Sequence, residues 1–167
     1  MKKLIFNCIL TLCSVQSHGQ VELSLKDLMN LESRDNFLRL TLGNGFETVF
    51  NMENSVSTGF RGVPDSSTEW PYTINATYDE LIGGHHFSFV FQGKELVTYD
   101  KLVSEIKTFC SFAKTHTSQY NDTSNDRSND VSLLYKCPSS KFQGFIGVLR
   151  KTTDGVSRGT IENFEYR

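Results

Sequence analysis

Two adjacent histidines, His85 and His86, occur in the stretch GGHHFSFVF at residues 83–91, and Asp79 and Glu80 lie just before it. Histidine titrates near neutral pH and can act as a general acid or base when a carboxylate orients it. One hypothesis is therefore a small secreted hydrolase that uses one of these histidines with a nearby carboxylate. The alternative is structural: the two glycines make a tight turn and the histidines begin a strand. We favour the structural interpretation and predict no catalytic residue.

The same histidines are poorly placed for binding a metal ion. Side chains of neighbouring strand residues point to opposite faces of a sheet, so His85 and His86 cannot both bind one ion. His18 lies in an N-terminal segment that is predicted to be removed, and His116 lies between threonines in another predicted strand. The sequence also contains no C-x-x-C pair and no glycine-rich phosphate-binding motif. It therefore predicts neither a metal nor a cofactor.

The N-terminus is typical of an export signal. Lys2 and Lys3 precede a short apolar run over residues 4–12, and the small residues around 17–19 offer a cleavage site before Gln20. Residues 1–19 are therefore predicted to be a signal peptide and the protein to be exported, to the periplasm or the medium. The apolar run is shorter than the about 20 residues that span a bilayer. No other run in the chain is long and apolar enough to do so.

Cys13 raises the alternative of a structural envelope lipoprotein. A lipid-attachment motif has a small residue before its cysteine, whereas Leu12 stands there, so simple export is favoured. Loss of Lys2 and Lys3 with the signal changes the formal charge from −2 to −4. Nucleic acids and anionic membrane surfaces are bound by clustered Lys and Arg, so this acidity argues against both as partners.

The cysteines of the mature chain are Cys110 and Cys137. An oxidising compartment favours a disulfide between them. Cys110 precedes a predicted strand over 112–118, and Cys137 follows another over 131–136. If these strands pair as an antiparallel hairpin across the polar segment 119–130, the two cysteines are neighbours, so we predict that they are bonded.

Three aromatic residues are candidates for binding another protein. Trp70 is the only tryptophan, Tyr72 follows it closely, and Tyr120 is the second residue of the polar segment QYNDTSNDRSND. Tryptophan and tyrosine are enriched among residues that anchor protein interfaces. A core or lid position for Trp70 is the alternative.

The predicted elements occur twice in the same order. Ser24 and Ser33 begin two helices, and strands follow over 46–52, 56–60, 70–78 and 86–91, with 95–98 returning after a turn at Gln92-Gly93-Lys94. Thr98 then caps a helix, and strands follow over 112–118, 131–136, 142–150 and 159–166. Residues 37–42 alternate as a strand would, but Gly43-Asn44-Gly45 favours a helix that ends there. The predicted fold class is α+β, with two helix-then-antiparallel-sheet units at 20–97 and 98–167 after the signal peptide.

In this layout the chain resembles a loose group of small exported bacterial proteins of unknown function. The residues that carry the resemblance are Ser24-Leu25, Leu28, Phe37 and Gly45-Phe46 in the first half, and Tyr99, Leu102, Ile106, 110–112 and 142–166 in the second. The arrangement is also similar to the tandem helix-plus-sheet modules of the β-lactamase-inhibitor-protein type. That similarity implies binding of other proteins on a curved sheet.

These observations together predict an exported, non-catalytic binding or envelope-interaction module without a cofactor. Its expected partner is another envelope or secreted protein. The secreted hydrolase and the envelope lipoprotein remain the alternatives.

Overall fold

The computed structural model describes residues 21–62, 72–81, 84–119, 129–138, 140–142, 144–153 and 155–164. The predicted signal peptide and Cys13 lie outside the described residues, as do Trp70 and Tyr120. Tyr72, both adjacent histidines and the two mature cysteines lie within them.

This part of the chain contains three α-helices, the first two of which begin at a capping serine. They are α1 (Leu25–Met29), α2 (Arg34–Gly43) and α3 (Leu96–Phe109), with a 3₁₀ turn at Gly93–Glu95. Ser24 and Asp27 form a reciprocal capping box at α1, and Ser33 caps α2. The helical prediction for residues 37–42 is therefore confirmed. None of the described helices is both long and apolar enough to cross a membrane.

The beginning of α3 differs from the prediction. Residues 95–98 do not return as a strand, and Thr98 does not cap the helix but lies buried in its first turn. Gly93 adopts a positive φ of 59°, which lets the chain enter a 3₁₀ turn directly from the preceding strand. The apolar spacing of α3 also extends back to Leu96, which packs against the core. The helix therefore begins two residues before the predicted unit boundary at 97/98.

Eight strands in the described ranges form a single antiparallel sheet. They are β1 (Glu47–Asn51), β2 (Ser55–Phe60), β3 (Ile74–Leu81), β4 (Gly84–Gln92), β5 (Ser111–Gln119), β6 (Asn129–Lys136), β7 (Phe145–Thr153) and β8 (Val156–Phe164). Their order is β1-β2-β3-β4-β8-β7-β6-β5. Each half of the chain thus contributes a four-stranded meander, and β4 pairs with β8 to join them. The α+β class is confirmed, with the sheet as its larger part.

The helices pack on one face of this sheet, here called the helix face. Phe87, Phe89 and Phe91 alternate along β4 on that face and are fully buried. Phe37 of α2 packs on Phe89, with ring centroids 5.9 Å apart. The opposite face, which carries His86, Ser88 and Val90 of β4 and Glu162 and Phe164 of β8, is here called the open face. Apolar alternation along the central strands therefore decides which face the helices cover.

Candidate functional site

His86 lies on the open face in the middle of the sheet. Its Nε2–H donates to the Oε2 of Glu162 on β8 at 3.2 Å, and the two side chains are 33% and 23% exposed. Asp79 of β3 lies opposite His86 in the strand register. The hydroxyl of Ser55 on β2 donates to the carboxylate of Asp79. A row of four polar side chains therefore crosses four strands.

The order of this row differs from that of a nucleophilic triad. In such a triad the histidine accepts the proton of the serine, and the carboxylate orients the histidine. Here Ser55 donates to Asp79, not to His86. Ser55 and His86 are two strands apart, which separates their backbones by about 10 Å. The row can bind polar groups through His86 and Glu162, but His86 does not contact Ser55.

His85 lies on the helix face, as strand alternation predicts for the neighbour of His86. Its Nε2–H donates to the carbonyl oxygen of Leu31 at 2.9 Å. Its ring stacks on Tyr78, with centroids 5.5 Å apart. His85 thereby ties the connection between α1 and α2 to the sheet. This position gives it a structural role.

Tyr72 lies on the open face near the β1 edge of the sheet. Its ring covers Gly59 of β2 so closely that a Cβ at position 59 would lie 2.5 Å from ring carbon atoms. The guanidinium of Arg61 lies 4.7 Å from the ring centroid and donates to the Tyr72 hydroxyl at 3.2 Å. Arg61 is itself held by an ion pair with Glu47 of β1. The hydrogen bond that Arg61 donates to the carboxylate of Glu47 is the main reason that the pKa of Arg61 is raised. The aromatic ring is therefore fixed on the sheet surface.

A buried polar cluster holds the backbone at Tyr72. The side-chain amide of Gln92 donates to the carbonyl oxygen of Tyr72 at 2.7 Å. The next residue, Thr73, accepts the N–H of Gly62 at 2.9 Å through its hydroxyl. Glu95 lies in the same region and is only 8% exposed, and this burial raises the pKa of its carboxyl group. The position of Tyr72 is thus fixed from the interior as well as at the surface.

A second aromatic cluster lies on the open face towards the β5 edge. Phe164 covers Gly147 of β7, where a Cβ would lie 2.2 Å from its ring. The ring of His116 on β5 packs on Phe164 with centroids 5.1 Å apart, and the Nζ of Lys114 lies 5.3 Å from the ring centroid of Phe145. Leu134 of β6 is 2% exposed, although it faces away from the helices. This cluster therefore gives the open face a small apolar layer of its own.

The two cysteines are bonded, as the hairpin argument predicts. Their Sγ atoms are 2.03 Å apart, and the bond ties the end of α3 at Cys110 to the residue after β6 at Cys137. Phe109 and Phe112 flank Cys110 and are 66% and 58% exposed. The disulfide is thus buried, while its aromatic neighbours are in solvent.

A polar cleft of about 460 Å³ opens on the other side of the molecule, beside α1 and α2. Glu32 and Lys141 line it and pair across 3.0 Å, and Arg39 and Asn36 on its wall bond to each other. These groups already bind one another, so the cleft contains few polar groups directed at a ligand.

The predicted binding aromatics are only partly placed by the structure. Tyr72 lies on the open face, whereas Trp70 and Tyr120 are outside the described residues. Sequence reasoning missed Arg61 and Phe164. Glycines inside strands, at 59 and 147, were the available signal, because such a glycine often marks the close approach of another group.

Among the described residues, no group of three or more His, Cys, Asp or Glu side chains is placed to hold a metal ion. Comparison of the chain with protein-family models, with curated proteins and with solved structures finds no match.

Proposed function

We propose that this protein is an exported, non-catalytic binding module that holds another envelope or secreted protein on the open face of its sheet. The observation that carries the proposal is the fixed position of the Tyr72 ring over Gly59 and beside Arg61. An aromatic side chain that is immobilised before binding loses little conformational entropy on association, and aromatic and arginine residues dominate binding energy. Tyr72 and Arg61 together provide both residue types at one place.

Export is supported by two independent features. The N-terminus has the order of a signal peptide, which predicts that the mature chain begins at Gln20. The disulfide between Cys110 and Cys137 fits an oxidising compartment. The similarity of the layout to inhibitor-type modules that bind proteins on a sheet is in line with this class of function.

The proposal is tested with oxidised mature protein as bait against the envelope and medium of the source cell. A captured partner is then purified and titrated against variants. Tyr72→Ala is expected to weaken binding by about tenfold or more, the effect of losing an interface anchor. Gly59→Ala is expected to act similarly, because its Cβ would displace the ring. Tyr72→Phe keeps the ring and is expected to retain most of the affinity.

Val97→Ala is the matched control, since Val97 is exposed on α3 at the opposite side of the sheet. Each variant is compared with the wild type by near-UV circular dichroism before titration. A partner that binds the folded Tyr72→Ala and Gly59→Ala variants as tightly as the wild type contradicts the proposed surface.

The hydrolase hypothesis keeps one supporting observation, the hydrogen-bonded pair of His86 and Glu162. The order of the polar row, with Ser55 on Asp79, favours binding over nucleophilic catalysis. A measured hydrolytic activity that a folded His86→Ala variant lacks would support the enzyme instead.

For the lipoprotein alternative, the mass of the mature N-terminus decides between cleavage before Gln20 and a lipid on Cys13.

A further inference from the structure

The edge strand β5 has the features of a site for strand addition. It is the last strand in the sheet order, and among the described residues only β6 pairs with it. The residues from Ser111 to Thr117 are all exposed. An edge strand presents backbone N–H and C=O groups that can pair with another extended chain. Within the part of the chain that the structure describes, its outer edge is therefore available for hydrogen bonding along most of its length.

The opposite edge of the sheet is less suitable. β1 has five residues, and a bulge between Thr48 and Phe50 interrupts its regular pairing in the middle. A bulge in that position leaves no long regular stretch for a partner strand. β5 has nine residues, and its bulge lies near the beginning, between Phe112 and Lys114. Lys114–Gln119 then pair with β6 without interruption.

The disulfide fixes this edge in place. Cys110 directly precedes β5 and is bonded to Cys137, which directly follows β6. The hairpin is thereby anchored at its open end. A strand that is ordered before its partner arrives pays less conformational entropy on binding.

The two sides of β5 differ in chemistry. On the helix-face side, Phe112 and Phe109 are exposed, and Val131 of β6 is 48% exposed opposite Thr117. On the open-face side, the exposed Lys114 carries a positive charge, and His116 supplies ring nitrogens. The Nζ of Lys114 lies over the Phe145 ring of β7, and its flexible side chain would turn to the outer edge to meet an added strand. An added strand would therefore meet apolar groups on one side and a cation on the other.

We propose that the outer edge of β5 accepts an extended strand of another protein in which apolar and acidic side chains alternate. The apolar residues would continue the surface of Phe112, and the acidic residues would face Lys114. Tyr72 lies beside β2 and β3 near the opposite edge of the sheet. This site is therefore distinct from the surface in the proposed function and does not depend on it.

A second copy of this chain is a poorer occupant. Antiparallel pairing of two β5 strands about Thr115 places Lys114 of one copy opposite His116 of the other, on the same face. The β5 strand contains no acidic side chain, so this pairing gives Lys114 of neither copy an opposite charge. An opposite charge directly across a strand pair stabilises it by up to about 1 kcal/mol, or about fivefold in affinity. Charge complementarity thus favours an acidic partner strand.

The test uses the full mature protein with its disulfide intact and three capped seven-residue peptides. One alternates valine with glutamate, one alternates valine with lysine, and one is the glutamate peptide with alternate amides N-methylated. Affinities are measured by fluorescence anisotropy at low ionic strength, where surface charges are least screened. The glutamate peptide is expected to bind about fivefold tighter than the lysine peptide, and N-methylation is expected to abolish binding.

Two variants connect binding to the edge. Lys114→Glu is expected to weaken the affinity for the glutamate peptide by about fivefold and to strengthen the affinity for the lysine peptide. Lys107→Glu, on the exposed side of α3, is the charge-matched control and is expected to change the affinity for neither peptide. Amide hydrogen exchange with bound peptide is expected to slow within Lys114–Gln119 and not in β1.

Three results would overturn the proposal. If protein that is folded by circular dichroism does not bind the glutamate peptide at millimolar concentration, this strand chemistry is excluded. If the N-methylated peptide binds as tightly as the unmodified one, backbone pairing is excluded, and if a concentration-dependent dimer protects the β5 amides, the edge belongs to a second copy. None of them bears on capture through Tyr72, so failure here is distinguishable from failure of the proposed function.

Discussion

Glu95 is a single residue that ties stability to pH. Its carboxyl group is buried at the start of α3, and the hydroxyl of Thr98, 3.5 Å away, is the hydrogen-bond donor found for it among the described residues. Desolvation raises the pKa of this carboxyl group in the folded protein above its unfolded value, and the Thr98 hydroxyl opposes that shift only in part. The folded state therefore binds this proton more tightly than the unfolded state does. The stability from this group is fully present below the unfolded pKa and is lost as the pH rises through the folded pKa.

Glu95→Gln is expected to stabilise the protein at neutral pH, because the amide has nearly the same shape and no charge to desolvate. The gain over the wild type is expected to shrink as the pH falls below the folded pKa. Urea unfolding at several pH values measures the difference between the two proteins. Glu53→Gln, at an exposed position, is the control and is expected to change little. A gain for Glu95→Gln that is equal at every pH would show that the charge of Glu95 is not its cause.

Sequence alone places residues on faces better than it finds their partners. Strand alternation correctly separates His85 from His86, and it fixes the face of each once the burial of Phe87 and Phe89 is known. The partner of His85 is Leu31, 54 residues away in the chain, and the partner of His86 is Glu162, 76 residues away. No local pattern specifies such pairs. The same limit explains why Tyr72 was found as a candidate while Arg61 was not.

At the scale of elements, the hairpin of β5 and β6 depends on its disulfide. The bond closes a loop with a sequence separation of 27 residues. In the chain-entropy model, a loop of this size raises the free energy of unfolding by about 3–4 kcal/mol. The cysteines are the main covalent constraint on an edge strand whose own side chains are nearly all exposed.

The double variant Cys110→Ser, Cys137→Ser is expected to lower the free energy of unfolding by about 3–4 kcal/mol. Urea denaturation of both proteins measures this loss. Reduction of the wild type by dithiothreitol should give a similar loss, which separates the effect of the bond from that of the serine side chains. Hydrogen exchange should rise first in β5, and an unchanged β5 would contradict the assigned role of the bond.

Elements with strong periodic patterns are predictable from this sequence, and their boundaries are less so. The helices at Ser24 and Ser33 and the strand over residues 86–91 occur where caps and alternation place them. The start of α3 was missed because Leu96 fits both a short returning strand and the first turn of a helix. Tertiary packing of Leu96 on the core decides between them.

The whole molecule is held together where its two halves meet. β4 and β8 are the last strands of their meanders. Their pairing is the only one in the described sheet that joins a strand of the first half to a strand of the second. Beyond their regular pairing, the buried side chain of Asn163 continues the contact. Its Oδ1 accepts the N–H of Phe87 at 2.6 Å, and its Nδ2 donates to the carbonyl oxygen of His85 at 2.9 Å. The repeated order of elements was predictable, whereas this joint was not, because no local signal chooses β8 as the neighbour of β4.

Asn163→Ala is expected to lower the free energy of unfolding by about 2–3 kcal/mol, because it removes two hydrogen bonds to the backbone of β4, one of them buried. Asn75→Ala on β3 is the control, since within the described residues the Asn75 side-chain amide nitrogen has no hydrogen-bond partner. Far-UV and near-UV circular dichroism should follow one shared transition in urea, because the continuous sheet and the common core couple both halves. Two separated transitions in Asn163→Ala would show instead that the halves are independent folding units and that the β4–β8 contact only attaches one to the other.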